Sequence, residues 1–496
     1  MELGAYSVYA WAVFLYLGLL ALICIMRAFY TRGDKDFMLG GRTVTSSVLV
    51  FSLIATWIGS GSLLGGAGLA YRQGYSELWL SVGAWIAILF CLKIAPKVRH
   101  LSGITLPDIL ERRYNSFARL LGSIALIIGA GTIVGYQFKG GAYVLELVAR
   151  IPHEQGLIIM AVSVVLLTSL AGMKSLLSID IVNGILILLG LFAAIFLLMQ
   201  EVGGFAQMKS QLPKTHFTLF GGRNVIWGIA VFFPVFLLLL GEPSMYQKFS
   251  SAQHEHTASR SIFWWFLGVV VIDIAIATLA LLGKIKFPLL EQLGQSDRVI
   301  LDIARFGLPT WAGVLLLTAA MAIIFSTANS FLLAPATNLT HDIIKRFVAK
   351  KMKPWQIVFV NRLSIVFVGG LAYFLLTQYK NILEMFLSAY TMMGAALTPA
   401  LLAAFFWKRA TTAGGVISIL GGIAGTIGTK YLFGIHNVQA FAHKQLGILP
   451  GELGEYVIIP AALFSTFLLV MISIAGPEPE SEKWLPFFET KEADEI

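Results

Sequence analysis

Apolar residues along this chain fall into repeated runs of about 20 residues, separated by shorter stretches that carry most of the charges. A run of that length crosses the hydrocarbon core of a bilayer as an α-helix. Because lipid cannot hydrogen-bond to backbone groups, such runs must be helical. The pattern therefore predicts an all-α polytopic membrane protein.

The pattern predicts about 13 transmembrane helices. The predicted spans are residues 6–26, 44–70, 76–97, 117–149, 155–172, 175–200, 226–251, 260–284, 309–340, 355–378, 382–407, 413–433 and 455–475. No basic stretch precedes the first run at Tyr6 and no small-residue cleavage site follows it. We therefore expect a retained membrane helix there, not a signal peptide.

Basic residues concentrate in the connections at 27–43, 98–116 and 341–354. By the positive-inside rule these loops are expected to face the cytoplasm. They follow odd-numbered spans, so one orientation fits all three. We expect a multi-pass protein of the cell (plasma) membrane, with its N-terminus outside and its C-terminus cytoplasmic.

The spans group into two sets of five, flanked by extra helices. The predicted units are an N-terminal extra helix with its cytoplasmic loop (1–43), a first five-helix repeat (44–200), an extracytoplasmic loop (201–225), a second five-helix repeat (226–407), two C-terminal helices (408–476) and a flexible cytoplasmic tail (477–496). An odd number of helices per set means that the second set crosses the membrane upside down. The expected fold class is an inverted-repeat 5+5 transporter core.

Composition agrees with a membrane protein: 57% of residues are hydrophobic and 13% are charged, about half the charged share of a soluble protein. The net charge of +9 needs no nucleic-acid partner, because the cytoplasmic loops account for it. Cys24 and Cys91 lie inside apolar spans, so we expect no disulfide framework. No nucleotide-binding loop, nucleophile motif or buried histidine site is evident. We expect no enzyme, no cofactor, no metal other than a transported ion and no obligate protein partner.

The first helix of each five-helix set is interrupted in mid-membrane. The predicted breaks are 59–62, which reads Gly-Ser-Gly-Ser, and 241–243, which reads Gly-Glu-Pro. Glycine and proline destabilise helix interiors, and proline removes a backbone donor. Either break alone could merely allow close helix packing. Two breaks at corresponding positions of two halves instead indicate a binding site at the membrane midplane.

Ser326 and Thr327 lie one turn after Ile323 in the ninth span, so their hydroxyls can share a face with its carbonyl. A hard cation binds several oxygens at about 2.3–2.6 Å, and the break in the second span can add the carbonyls of Ala55 and Ile58. The alternative is that both hydroxyls bond the carbonyl four residues back in their own helix.

At this point the chain resembles the sodium/solute symporter family, which includes the sodium/proline, sodium/galactose, sodium/sialic acid and sodium/pantothenate symporters. The matching stretches are 36–42 (Asp-Phe-Met-Leu-Gly-Gly-Arg), 55–74, 105–108 (Thr-Leu-Pro-Asp) with Arg113-Tyr114, 241–243 with Lys248-Phe249, and Ser326-Thr327. They follow the family's order and extend to about residue 410. The resemblance implies Na⁺ as the coupling ion, with Ala55, Ile58 and Ile323 binding it through carbonyls and Ser326 and Thr327 through hydroxyls.

Asp180, near the cytoplasmic end of the sixth span, is an ionisable group in the membrane and therefore a functional candidate. The alternative is a carboxylate in the interfacial zone. Asp180 is similar to the family's aspartate on the sodium exit route, which in some members helps to form a second sodium site. The resemblance then brings Asn329 and Ser330 into that possible second site.

The candidates for solute binding lie at the two breaks and in the fourth span. They are Trp57, Gly61, Ser62, Gln137, Lys139 and Glu242. Lys139 either holds a substrate carboxylate or pairs with Glu242 or Asp273. Its surroundings are similar to the pantothenate branch, which favours a carboxylate-bearing solute. Trp57 stands where the proline symporter carries an aspartate, which disfavours proline, and the Ala-Thr-Trp stretch is also similar to choline transporters.

These features predict a sodium-coupled symporter that imports a small organic solute by alternating access. Its expected partners are Na⁺, the solute and the lipid bilayer, with no nucleic acid. Two alternatives remain open at this stage. One is a proton-coupled or uncoupled transporter of the same fold, and the other is a transporter-like membrane sensor.

Overall fold

The computed structural model describes residues 2–28, 44–101, 105–379, 381–446, 448 and 450–488. Nearly all of them are helical, and the described part of the chain has no β-strand beyond a single bridge between Val44 and Ala252. The 36–42 motif and most of the basic 27–43 connection lie outside the described residues.

The helices follow one another with short connections. They are α1 (Glu2–Ala28), α2 (Ser46–Trp57), α3 (Ala67–Gln73), α4 (Leu78–His100), α5 (Leu106–Arg113), α6 (Ser116–Ala149), α7 (His153–Val202), α8 (Phe205–Gln211), α9 (Val225–Leu240), α10 (Pro243–Ser251), α11 (Glu255–Lys286), α12 (Val299–Asp302), α13 (Thr310–Asn338), α14 (Pro354–Leu376), α15 (Ile382–Phe406), α16 (Thr412–Phe433), α17 (His436–Leu446), α18 (Ile458–Ala475) and α19 (Ser481–Phe488). Three π-helical segments extend this framework within the described residues: Gly61–Gly66 joins the break to α3, Ile303–Gly307 follows α12, and Leu339–Val348 continues α13.

Within the described residues, 12 segments are long and apolar enough to cross a membrane, and the shorter helix α2 is also apolar. The segment Gly61–Val98 contains two crossings, because the chain turns at Gly74, whose φ is +77°. Joined to α2, its first part forms an interrupted helix over 46–73. The spans therefore number thirteen, which confirms the predicted fold class.

Five crossings from the first interrupted helix are followed by five from the second, Val225–Ser251. The two sets therefore run through the membrane in opposite directions. The fourth and fifth crossings of the first set are both within α7, and Gly172 separates them with φ 64° and ψ 174°. Only glycine adopts that conformation without strain. The exact repeat boundaries stay predictions.

The first break lies slightly earlier than the sequence indicates. Helix α2 ends at Trp57, and Ile58 is extended, with φ −76° and ψ 109°. Ser60 is already helical and caps the π-helical segment. The irregular backbone is therefore Ile58–Gly59, and the residues Ser60 to Ser62 belong to the second half-helix. The second break lies as predicted, because α9 ends at Leu240 and Pro243 begins α10.

Ionic contacts gather at the end of the molecule formed by 97–101, 105–119, 341–346 and 405–409. The guanidinium of Arg119 contacts Asp108 at 2.7 Å, Glu111 at 2.5 Å and Asp342 at 2.5 Å, and His341 lies 3.0 Å away. Asp108, His341 and Asp342 are close enough to share a metal ion, but Arg119 already lies among them. We call this side the basic end.

The stretch 477–488 differs from the flexible tail that its polar sequence predicts. Helix α19 packs on the basic end, where Lys97 donates hydrogen bonds of 3.2 Å to the carbonyls of Phe405 and Phe487. Lys408 lies over the rings of Trp484 and Phe488. Helix α19 has only eight residues, about two turns, and an apolar pattern this short did not predict the contact. Residues 489–496 lie outside the described chain.

Candidate functional site

The hydroxyl of Thr327 joins α13 to the break in the first interrupted helix. Its Oγ1 donates toward the carbonyl oxygens of Ile58 and Ala55, at 2.8 Å and 3.3 Å. Those carbonyls are free because Ile58 leaves the helical conformation, so the bonds that would continue α2 are not made. Three of the five predicted sodium ligands therefore meet at one point.

Ser326 directs its hydroxyl to Asp180 on α7, with Oγ–Oδ1 at 2.5 Å. The second oxygen of this carboxylate accepts a hydrogen bond of 2.5 Å from Ser52 on α2. Neither serine bonds the carbonyl four residues back in its own helix, which was the alternative reading of Ser326. Ile323 lies one turn earlier on α13 and is buried. The five predicted ligands and Asp180 therefore belong to one buried neighbourhood.

Lys248, on α10, lies beside Asp180 inside the membrane region. Its ammonium donates to the carbonyl of Ser52 at 2.8 Å and to the Thr56 hydroxyl, and lies 3.4 Å from Asp180 Oδ2. The side chains of Lys248 and Asp180 are only 1% and 2% exposed. An ion pair this deeply buried needs further hydrogen bonds to offset its desolvation, and the neighbouring oxygens provide them.

The two remaining candidates for a second cation site have protein partners. Ser330 Oγ lies 2.9 Å from Thr56 Oγ1, and Asn329 Oδ1 accepts a hydrogen bond of 2.6 Å from Thr168. Both residues face the first five-helix set from α13. Only Ser330 is linked, through Thr56, to the Asp180–Lys248 pair.

An aromatic cluster covers the other side of the break. We define it as Trp57, Tyr136, Phe386 and Tyr390. The ring centroids of Phe386 and Tyr390 are 4.0 Å apart, and each ring has a further aromatic neighbour, Tyr136 at 6.1 Å and Trp57 at 6.2 Å. These residues come from three helices, α2, α6 and α15.

Gly61 lies directly against this cluster. A Cβ atom at Gly61 would lie 2.3 Å from a ring carbon of Phe386 and 3.3 Å from the Tyr136 hydroxyl. The absence of a side chain therefore lets the ring reach the half-helix. Ser62, the next residue, is half-buried on the same π-helical segment.

Gln137 presents a buried hydrogen-bond donor at the break. Its Oε1 accepts a hydrogen bond of 2.9 Å from the backbone N–H of Ser60, which fixes the orientation of the amide. Its Nε2 is buried without a hydrogen-bond partner and is only 2.6 Å from where a Cβ of Gly59 would lie. Buried donors are rarely left unsatisfied, so this amide is suited to bind a polar group of a solute.

Lys139 lies further from the break, toward the end opposite to the basic end. The charges that act on it are those of Asp297 and Glu384, not Glu242 or Asp273. Asp297 and Glu384 line a cavity of about 320 Å³, together with Arg72 and Glu455. The structure therefore places Lys139 beside an acidic vestibule outside the aromatic cluster.

Glu242 caps the second half-helix of the second break. Its carboxylate accepts hydrogen bonds from the backbone N–H groups of Ser244 and Met245, both at 2.8 Å, and from the Ser244 hydroxyl at 2.7 Å. A carboxylate at a helix N-terminus is also favoured by the helix dipole. The side chain is fully buried and caps α10 in this structure, and its predicted contact with solute stays a prediction.

The family model for the sodium:solute symporter family matches residues 37–422. The chain belongs to the sodium:solute symporter family. It is therefore a multi-pass membrane transporter and not an enzyme, and the family implies sodium and a small solute as its partners. The resemblance noted from the short motifs is confirmed over most of the chain.

Curated relatives cover nearly the whole symporter. The sodium/proline symporter of Escherichia coli is 25% identical over 477 residues, which is 91% of this chain and 90% of that protein. The sodium/proline symporter of Staphylococcus aureus is 24% identical over 494 residues, covering 95% and 94%.

Solved transporters share the symporter's fold. A Na⁺-coupled sialic acid symporter in a substrate-bound, outward-open state matches with a TM-score of 0.80 and 15% identity, covering 95% of this chain and 98% of that one. A nucleobase-cation-symport-1 family transporter in a closed conformation matches with a TM-score of 0.59 and 11% identity, covering 92% and 98%.

Lys248 was used in the sequence analysis only as part of a motif and was not placed beside Asp180. Ser52 and Thr56 were missed as well. The signal for Lys248 was present, because a lysine after the break of an apolar span is as costly in lipid as Asp180. Ser52 and Thr56 carried no such signal, since hydroxyls are common in membrane helices and usually bond their own backbone.

Proposed function

We propose that this symporter couples the entry of sodium to the import of a small organic solute by alternating access. Sodium is bound by the carbonyls of Ala55, Ile58 and Ile323 and the hydroxyls of Ser326 and Thr327. The observation that carries the assignment is the approach of Thr327 Oγ1 to both freed carbonyls of the break. No cofactor takes part.

The chemistry of this set suits a small hard cation. Carbonyl and hydroxyl oxygens are the ligands that such ions prefer, and the first set and the second set both contribute. Asp180 contacts Ser326 directly, so its negative charge offsets part of the cost of burying a cation. Ser326 and Thr327 are each 2% exposed, so bound sodium would be shielded from water.

Sodium binding would order the solute site because the two share the break. The carbonyl of Ile58 is a sodium ligand, and the Ser60 N–H two residues later holds Gln137. Trp57 immediately precedes Ile58. An ion that fixes the Ile58 carbonyl to α13 therefore also fixes the aromatic and amide groups proposed to contact the solute.

The energy available is sufficient for accumulation. One charge that crosses 100 mV releases about 2.3 kcal/mol, and a tenfold sodium gradient adds about 1.4 kcal/mol. At one sodium per cycle, and for a solute with no net charge such as a zwitterion, the sum supports a solute gradient on the order of 10².

The orientation is supported by the basic end. Lys97, Arg113, Arg119 and Arg346 gather there, as the positive-inside rule expects of the cytoplasmic side. We therefore place the N-terminus outside, the C-terminus in the cytoplasm, the acidic vestibule outside and the protein in the plasma membrane.

The solute is proposed to be a small metabolite with a carboxylate that accepts a hydrogen bond from Gln137 Nε2, while its apolar part contacts Trp57 and Phe386. Lys139 is not proposed to bind this carboxylate, because the charges that act on it are those of Asp297 and Glu384. Proline is the first solute to test, since relatives named sodium/proline symporter match over 90% of the chain or more.

The test is uptake by the purified protein in proteoliposomes, after a thermal-shift screen of carboxylate metabolites with and without sodium. An inward sodium gradient is expected to drive accumulation, and a proton gradient without sodium is not. Accumulation driven by a proton gradient alone would show that the transporter is coupled to protons and not to sodium. A solute that binds but is never transported would instead indicate a sensor.

A double variant tests the residues. Ser326→Ala/Thr327→Ala is expected to lose sodium-dependent uptake and sodium-dependent stabilisation. Thr318→Ala is the matched control on the same helix, because Thr318 Oγ1 bonds only the carbonyl of Val314, at 2.8 Å. Unchanged sodium dependence in the double variant would contradict the site assignment.

A further inference from the structure

Lys248 is surrounded by the kinds of oxygen that bind a metal cation. Its ammonium contacts a backbone carbonyl of Ser52, the hydroxyl of Thr56 and a carboxylate oxygen of Asp180. Its side chain is 1% exposed. Carbonyl and hydroxyl groups also make up the proposed sodium site, which the hydrogen bond from Ser326 links to Asp180.

We propose that Lys248 is a tethered cation that occupies a second cation position, so that the symporter carries one sodium ion per cycle. The proposal rests on the proposed function, because it concerns how many ions that function uses. The ammonium performs the electrostatic role of a second ion but stays with the protein. It therefore contributes no energy from the sodium gradient.

Charge balance supports this assignment. Asp180 carries one negative charge, and its two oxygens are shared between Ser326 on one side and Ser52 with Lys248 on the other. The buried carboxylate of Glu242 also acts on Lys248. Two carboxylates, the ammonium and one sodium ion at its proposed site therefore balance one another. A second sodium ion would add another positive charge in a region of low dielectric, where unbalanced charge is costly.

The hydroxyls near Lys248 agree with the same assignment. Thr56 bonds both the ammonium and Ser330, so the Ser330 hydroxyl is linked to the ammonium through Thr56. Asn329 is occupied by Thr168. Of the two candidates for a second sodium site, Ser330 is therefore linked to the lysine and Asn329 is hydrogen-bonded to another helix.

The experiment measures sodium stoichiometry directly, by equilibrium binding of radioactive sodium to the purified protein and by sodium titration of its melting temperature. The wild type is expected to bind one sodium ion. Lys248→Met removes the ammonium and keeps the length of the side chain, and it is expected to bind two. Lys248→Arg keeps a cation and is expected to bind one.

Substitution of the partner, Asp180, provides a second test if Lys248→Met does not fold. Asp180→Asn leaves the Lys248 charge unbalanced and is expected to weaken sodium binding at least tenfold. The double variant Asp180→Asn/Lys248→Met removes both charges and is expected to recover sodium affinity to within threefold of the wild type. Loss of a merely structural contact would not be reversed by a second substitution.

Lys97→Met is the matched control, because that lysine bonds carbonyls at the basic end and not Asp180. Two sodium ions on the wild type, one on Lys248→Met, or no recovery in the double variant would each overturn the proposal. A wild type that binds no sodium at all would instead overturn the proposed function. The two failures are therefore distinguishable.

Discussion

The hydroxyl of Thr327 lies 2.8 Å from the carbonyl oxygen of Ile58, and this contact ties the second five-helix set to the interruption in the first. Each partner is explained by its own helix. Ile58 has a free carbonyl because α2 ends at Trp57, and Thr327 lies on the buried face of α13.

The first prediction concerns this contact. Thr327→Val keeps the shape of the side chain and removes one oxygen ligand, so the sodium affinity is expected to fall at least about tenfold, or about 1.4 kcal/mol. Sodium titration of the melting temperature measures it. Thr318→Val on the same helix should leave the titration unchanged. Equal titrations for the two variants would remove Thr327 from the site.

The second prediction concerns the aromatic cluster. Gly61→Ala places a methyl group 2.3 Å from the Phe386 ring, so the ring must move. Solute uptake is expected to fall more than tenfold while sodium binding is retained. Gly65→Ala is the control on the same π-helical segment, because its nearest neighbours are 3.6 Å away. Equal uptake by the two variants would contradict a role for the cluster in solute binding.

The third prediction concerns Glu242. Glu242→Ala removes the acceptor for two backbone N–H groups and one hydroxyl, and loss of a helix cap costs about 0.5–2 kcal/mol. We expect a lower melting temperature but an unchanged apparent affinity for solute. Asn224→Ala, which removes the cap of α9 outside the site, provides the comparison. A large rise in the KM of Glu242→Ala for uptake would instead indicate that Glu242 binds the solute.

The fourth prediction concerns pH. Asp302 lies in the short helix α12, outside the spans, and burial raises the pKa of its carboxyl to about 6, although the charge of Arg298 opposes this. The folded state therefore holds the proton more tightly than the unfolded state, so stability falls as pH rises from about 4 to 6. Asp302→Asn is expected to make the melting temperature less dependent on pH in this range and to raise stability at pH 7. An unchanged pH profile would argue against that shift.

The sequence predicted the features that depend on local pattern. Apolar run lengths were sufficient for the thirteen spans, and glycine and proline located both breaks to within about two residues. The carbonyls at Ala55 and Ile58 followed from the first break, and the hydroxyl pair followed from helical spacing. These carbonyls and hydroxyls could be predicted without knowing which helices pack against each other.

Other features depend on how distant helices meet. The pairing of Asp180 with Lys248 joins residues 68 positions apart, and nothing in either span indicates the other. Glu242 was a solute candidate because it lies at the second break, whereas its bonds to Ser244 and Met245 depend on the backbone geometry of that break. Lys139 was predicted either to hold a substrate carboxylate or to pair with Glu242 or Asp273. The charges that act on it are those of Asp297 and of Glu384 on α15.

The contacts around the breaks share one property. Thr327 with Ile58, Ser326 with Asp180, Lys248 with Ser52, and Ser330 with Thr56 each join a residue of the first predicted repeat to a residue of the second. Hydroxyls can exchange one acceptor for another by a rotation of the side chain, which interlocked apolar side chains cannot do. In the proposed alternating-access cycle, the two repeats would therefore be able to separate and meet again through different hydrogen-bond partners, without leaving buried polar groups unpaired.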